Sequence, residues 1–234
     1  MGTQMKTFLI DSVFFGAALS LAAYEAGLLL KKKFRSALCN PLLIGTICIM
    51  AVLSLLKIEY KHYNEGAKYI SYLLTPATVC LAVPLYRQFT LLKQNKNAVA
   101  GGIIAGVLTS LLSVFLLAKF FGLDHEQYVT LLPKSITTAI GLGISEELGG
   151  FTTITVAVII VTGIMGNVIA ELVFRIFRIE EPVAKGLAMG TASHAIGTAK
   201  ALEMGEIEGA MSSLAIAVAG LVTVFAAPLF ANLI

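Results

Sequence analysis

Tryptophan is absent from this 234-residue chain, histidine and cysteine each occur three times, and charged residues make up only 13% of it. Soluble domains carry about 25% charged residues, so roughly half of the usual solubilising charge is missing. That scarcity excludes an ordinary water-soluble fold. The net charge of +3 falls at segment ends, which excludes a basic nucleic-acid-binding face. Cys39, Cys48 and Cys80 lie in apolar stretches without CxxC spacing, so they read as inert packing residues and not as a redox pair or a zinc site. Ser193 and His194 are adjacent instead of opposed, and Gly141-Leu142-Gly143 has no strand–helix setting. Neither an enzyme nor a cofactor is expected.

What is present is apolar sequence in long runs: 57% of the residues are hydrophobic and mean hydropathy is +0.87. A helix needs about 20 residues to cross a bilayer. Full-length candidates are Phe8–Leu30, Leu38–Leu56, Tyr69–Leu92, Ala98–Phe121, Phe151–Phe177 and Ala210–Leu233. Phe8–Leu30 is too long for a signal peptide, and Lys31-Lys32-Lys33-Phe34-Arg35 follows as a stop-transfer cluster. Two apolar pieces, Leu131–Ile144 and Gly186–Ala199, are shorter. At about 14 residues each reaches only about 21 Å, which suits a re-entrant segment or half-helix. The expected fold is an all-α polytopic membrane protein with about six full transmembrane helices and two such short segments. It forms one integral membrane domain over 1–234, with N-terminal helices in 1–68 and a core of broken helices in 69–234.

Arg and Lys cluster in 31–35, 87–96 and 175–185. Cytoplasmic placement of all three obeys the positive-inside rule if Leu131–Ile144 returns to the side it came from. The competing path makes that piece a crossing segment and puts Arg175, Arg178 and Lys185 outside. Thr75-Pro76-Ala77-Thr78 with Pro84, and Pro133-Lys134-Ser135-Ile136-Thr137-Thr138, are each followed by a glycine-bearing helix. This pairing reads as an inverted repeat, the arrangement that marks transporter binding sites.

Polar residues concentrate in three places. At helical spacing, Thr191, His194 and Thr198 share one face, with Ser193, Gly197 and Lys200 on another. His194 is the natural proton carrier, because its charge changes near neutral pH; a structural histidine bonded to a neighbouring helix is the alternative. Pro133 would open a short helix whose free N–H groups and Lys134 attract an anion, with snorkelling of Lys134 as the alternative. Glu146 is either a proton or cation site or part of an acidic loop with Glu147. Arg87 reads as a topology anchor beside Lys93 and Lys96, ahead of a carboxylate clamp. Pro76, Pro84, Pro133, Gly141, Gly149, Gly150, Gly190 and Gly197 are the expected breaks. Thr78, Lys134, Ser135, Thr137, Thr138, Thr191, Ser193, His194 and Thr198 are the candidate solute-binding residues, with His194 and Glu146 for proton coupling.

These pieces resemble the LrgB/CidB family of bacterial membrane proteins. The resemblance runs through Thr75–Tyr86, Pro133–Thr138, Ile144–Gly150, Gly186–Thr198 and Glu208–Leu214, with Ala195 and Lys200 departing from the usual Gly and Arg. It implies a multi-pass protein of the bacterial cytoplasmic membrane, forming a homo-oligomer and acting with a holin-like partner of the LrgA/CidA type. The family name implies control of murein hydrolases and autolysis. Related proteins imply transport of small 2-hydroxy- or 2-oxo-monocarboxylates of the glycolate, glycerate and pyruvate class, and the short polar half-segments, expensive in hydrocarbon, make this carrier the expected function with the autolysis regulator as the alternative. In that reading backbone N–H groups and Lys134 hold the carboxylate, Ser135, Thr137, Thr138 and Thr198 the second oxygen, and His194 couples a proton.

Overall fold

The computed structural model describes residues 12, 14–34, 40–80 and 82–234, and every regular element among them is helical. Asp11, Arg35, Cys39 and the start of Phe8–Leu30 lie outside the described residues. The chain divides into two compact units, Met1–Cys80 and Leu81–Ile234.

The first unit contains α1 (Phe15–Phe34), α2 (Pro41–Leu56), α3 (Tyr60–Ser71) and α4 (Leu74–Cys80). Asn40 caps α2 through its side chain, accepting from the Leu42 and Leu43 N–H groups at 2.8 and 3.4 Å, and Pro41 fills the first helical position, where no N–H is needed. Glycines let α1 approach its neighbours: Gly27 meets the Pro41 backbone and Gly16 the Tyr63 backbone. The side chain of Thr78, on α4, lies outside the described residues.

The second unit carries α5 (Ala82–Arg87), α6 (Phe89–Gln94), α7 (Lys96–Phe121), α8 (His125–Leu131), α9 (Thr138–Glu147), α10 (Thr152–Ile176), α11 (Pro182–Met204) and α12 (Glu206–Ala231). Among the described residues α7, α10 and α12 are long and apolar enough to cross a membrane, and α2 is a shorter apolar helix. The expected single span Tyr69–Leu92 is instead divided among short helices, with Pro76 and Pro84 in the first turns of α4 and α5, where a missing N–H is tolerated.

Between the long helices lie two hairpins. The first is α8, a turn over 132–137, and α9. Tyr128 stacks edge-on against Phe115, and Ser135 bonds Ser110, so α8 runs back antiparallel to α7. The chain then reverses, since Gly141 packs on Pro133 and Gly150 on Thr130. Leu131–Ile144 thus returns to the end it came from. Pro133 opens no helix; it sits in the turn, and α9 begins at Thr138.

The second hairpin is α11 itself. Its regular dihedrals fail at His194 (φ 41°, ψ −136°). A Cβ added at Gly197 would lie 2.5 Å from Ser193 Cβ and 2.6 Å from the Met189 carbonyl oxygen. In a straight helix residues 189 and 197 are about 12 Å apart along the axis, so the arm 195–204 must fold back on the arm 182–193. Thr191, His194 and Thr198 therefore share no helical face. They occupy one arm, the tip and the other arm.

The two hairpins enter from opposite ends. Gly102 faces Leu187 and Gly106 faces Thr191, so the first arm of α11 runs parallel to α7 from its Lys96 end. The first hairpin enters from the Phe121 end. The basic residues of 87–96 and 175–185 gather at the Lys96 end, as the positive-inside rule requires of a cytoplasmic face.

Candidate functional site

Both tips reach the same depth. Ser110, near the middle of α7, donates to Ser135 at 3.0 Å on the first tip. Thr191 meets Gly106 one helical turn before Ser110, and His194 follows three residues on, which brings the second tip to the same level. Non-helical backbone at membrane depth must be buried in protein or line a polar cavity. Both conditions are met here by different residues.

The second tip is buried. His194 Nε2 hydrogen-bonds the Ile159 carbonyl at 2.9 Å, and Asn167 donates to the Ile196 carbonyl at 3.1 Å, so α10 takes up polar groups exposed by the reversal. Thr198 donates to the His194 carbonyl at 3.0 Å and lies 2.6 Å from the Ser212 hydroxyl. Gly163 and Gly166 on α10 leave room for the His194 ring and the Ser193 hydroxyl. A non-glycine residue at φ 41° costs of order 1–3 kcal/mol, and these contacts hold it there.

The first tip opens on a groove of about 700 Å³ between α7, the turn and the first arm of α11. Its deep end carries Ser110, Ser113, Lys134, Ser135 and Thr191. Lys134 Nζ donates to Ser135 at 2.9 Å and to Ser110 at 3.4 Å, and among the described residues no carboxylate pairs with it. Lys200 is the useful contrast. Its ammonium lies 2.6 Å from Glu171 and 3.5 Å from Glu203, so its charge is already matched. Lys134 is the lysine that lines the groove, so an anion entering it meets an ammonium not matched by a carboxylate among the described residues.

The sequence-derived candidates separate accordingly. Lys134, Ser135 and Thr191 line the groove together. Thr137 and Thr138 follow in the same tip, at the start of α9, half-buried and outside the lining. Ser193, His194 and Thr198 are buried behind it. Glu146 is exposed at the far end of α9, and Gly149 beyond it takes φ 82° to end that helix. Arg87 pairs with Glu206 at 3.9 Å with both side chains largely exposed, a contact worth little.

Sequence reasoning missed Ser110, Ser113 and Glu181, which line the groove, and the buried hydroxyls Thr130, Ser145 and Thr155. Thr155 lies 2.6 Å from Ser145 and donates to the Thr130 carbonyl at 3.0 Å, while Thr130 accepts from the Phe151 N–H at 2.8 Å. This network ties the base of the first hairpin to α10. A hydroxyl every few residues along an apolar helix was the available signal, but partners 10 to 25 residues away leave no local pattern. Among the described residues no three His, Cys, Asp or Glu side chains gather for a metal.

A sequence profile described as the LrgB-like family matches residues 20–233. The antiholin-like protein LrgB of Bacillus cereus strain B4264 is 40% identical over 218 residues, covering 93% of this chain and 95% of the relative. The protein of the same description from Bacillus anthracis strain A0248 matches with the same identity and coverage. No solved structure matches.

Proposed function

The chain belongs to the LrgB-like family, and from that membership we propose that it acts as an antiholin-like membrane protein. In this reading it restrains murein hydrolase activity and autolysis together with an LrgA/CidA-type holin-like partner, without catalysing a reaction itself. The observation that carries the reading is 40% identity over 93% of the chain to proteins so described. The multi-pass bacterial membrane setting, with three membrane-length apolar helices, supports it. The test is detergent-triggered autolysis of cells lacking their own homologue, with the chain and its partner supplied together or singly. Slower lysis only with both is expected; an unchanged lysis rate in every combination sinks the reading.

One geometric observation favours a second reading. A lysine held, among the described residues, by hydroxyls alone at the meeting level of two opposed hairpins suits a carrier of small 2-hydroxy- or 2-oxo-monocarboxylates. Ionisable residues inside a membrane are costly and default to function, and broken elements meeting at mid-depth mark substrate sites. Lys134 binds the carboxylate here and Ser135 and Thr191 the second oxygen, with Thr137 and Thr138 behind them in the same tip, and His194 with Ser193 and Thr198 forms the tip that couples a proton. Counterflow of labelled pyruvate and glycolate in liposomes tests it, with Ser135→Ala and His194→Ala beside the wild type. Saturable exchange lost in both variants is the expected result. Exchange unchanged in His194→Ala at every pH removes that residue from the mechanism, and no exchange with or without the holin-like partner removes the carrier reading.

A further inference from the structure

We infer that the groove running from Lys134 takes monocarboxylates with an apolar tail, and that its apolar middle excludes dicarboxylates of similar length. The inference rests on the carboxylate reading of Lys134 and names the ligand class within it. Glycolate and pyruvate would use only the deep end. The groove is much larger than that end: about 700 Å³ lies in the range of drug-sized sites, roughly 300–1,000 Å³.

The lining is graded along its length. Hydroxyls and the ammonium sit at the deep end, whereas Gly102, Ala105, Leu187 and Ala188 form the middle. The Gly102–Leu187 and Gly106–Thr191 contacts fix α7 and the first arm of α11 in parallel register. The groove therefore follows both helices without crossing them. From Ser110 to Ala98, both in the lining, α7 advances about 18 Å. Thr109 adds a hydroxyl beside Ser110 at the deep end, and from Ala105 outward to Ala98 no lining residue of either helix offers a charge or hydroxyl to a second polar group of a ligand. Asn95 and Glu181 close the outer end. A ligand that places one carboxylate on Lys134 thus extends along apolar wall, and a second carboxylate at the end of a six-carbon chain is stranded there without a polar partner.

Binding to the full-length protein in lipid nanodiscs, with empty nanodiscs subtracted, tests this by isothermal titration with acetate, butanoate, hexanoate and hexanedioate. Each buried methylene contributes about 0.8 kcal/mol, so affinity is expected to rise about fourfold per carbon, with hexanedioate far weaker than hexanoate. Ala188→Leu is expected to flatten the dependence on length, and Lys134→Met to abolish binding at every length. Thermal melting of each variant confirms that it is folded. Affinity that is flat or falls with chain length, while Lys134→Met still abolishes acetate binding, overturns the inference and leaves the carboxylate reading standing. Hexanoate bound equally by Lys134→Met places the acid elsewhere and overturns the inference. No binding of any acid by the wild type overturns both.

Discussion

Replacing Gly197 by Ala is expected to destabilise the protein through one methyl group. The Cβ would lie 2.5 Å from Ser193 Cβ and 2.6 Å from the Met189 carbonyl oxygen, against an optimum of about 3.5–4.0 Å. The arms of the second hairpin must therefore separate by about 1 Å. Neither neighbour can rotate away, since one is backbone and the other is the first atom of a side chain. Overpacking costs about 1–3 kcal/mol, and two rigid contacts put this site near the upper figure. The gain from replacing helical glycine offsets about 1 kcal/mol, leaving a net loss of about 2 kcal/mol. For a chain of this size that lowers the melting temperature by about 4–8 °C. Gly143 is the matched control. It is helical and exposed, and nothing lies within 4 Å of its added Cβ, so Gly143→Ala should gain up to about 1 kcal/mol. The assay is thermal unfolding in nanodiscs followed by circular dichroism. A Gly197→Ala protein that melts with Gly143→Ala, at or above the wild type, would refute the folded-back geometry of α11.

Thr155→Val removes a buried hydroxyl shared by Ser145 and Thr130 and should cost about 1–3 kcal/mol, read as faster hydrogen exchange at the base of the first hairpin; unchanged protection there argues against the network. Lys200→Met should cost less than about 1 kcal/mol, because Glu171 and Glu203 are more than half exposed and can return to solvent. Adding salt to the wild type should reproduce most of that loss. A carboxylate at 100 times its dissociation constant should stabilise the wild type by about 2.7 kcal/mol and leave Lys134→Met unmoved; equal stabilisation of both moves the anion site away from Lys134.

Three expected spans, Ala98–Phe121, Phe151–Phe177 and Ala210–Leu233, and both short segments were legible because hydropathy and length are local properties, whereas Tyr69–Leu92 read as one span and is divided among short helices. Leu131–Ile144 and Gly186–Ala199 are too short to cross, and both lie in hairpins. The geometry inside the hairpins was not legible. Pro133 carries a helix-start signal, yet it lies in a turn because the backbone there packs against Gly141 and must not continue helically. The 3.6-residue period that united Thr191, His194 and Thr198 assumes an unbroken helix, and φ 41° at a histidine is nothing a periodicity can announce. The sequence singled out Lys134 and left Lys200 without a role, but nothing local says which of the two charges is matched. Only the carboxylates brought across from α10 and along α11 separate the matched charge from the unmatched one.

The meeting level of the two tips has an electrical consequence. Ser110 is the fifteenth residue of the 26 in α7, so the Lys134 ammonium bonded to it stands near the middle of the hydrocarbon. An ion that reaches it from either face has crossed about half of any membrane potential. At about 2.3 kcal/mol per elementary charge per 100 mV, that is ~1.2 kcal/mol, or roughly a sevenfold change in occupancy at 100 mV. Voltage alone, at fixed concentration, can therefore fill or empty a monovalent site at this depth.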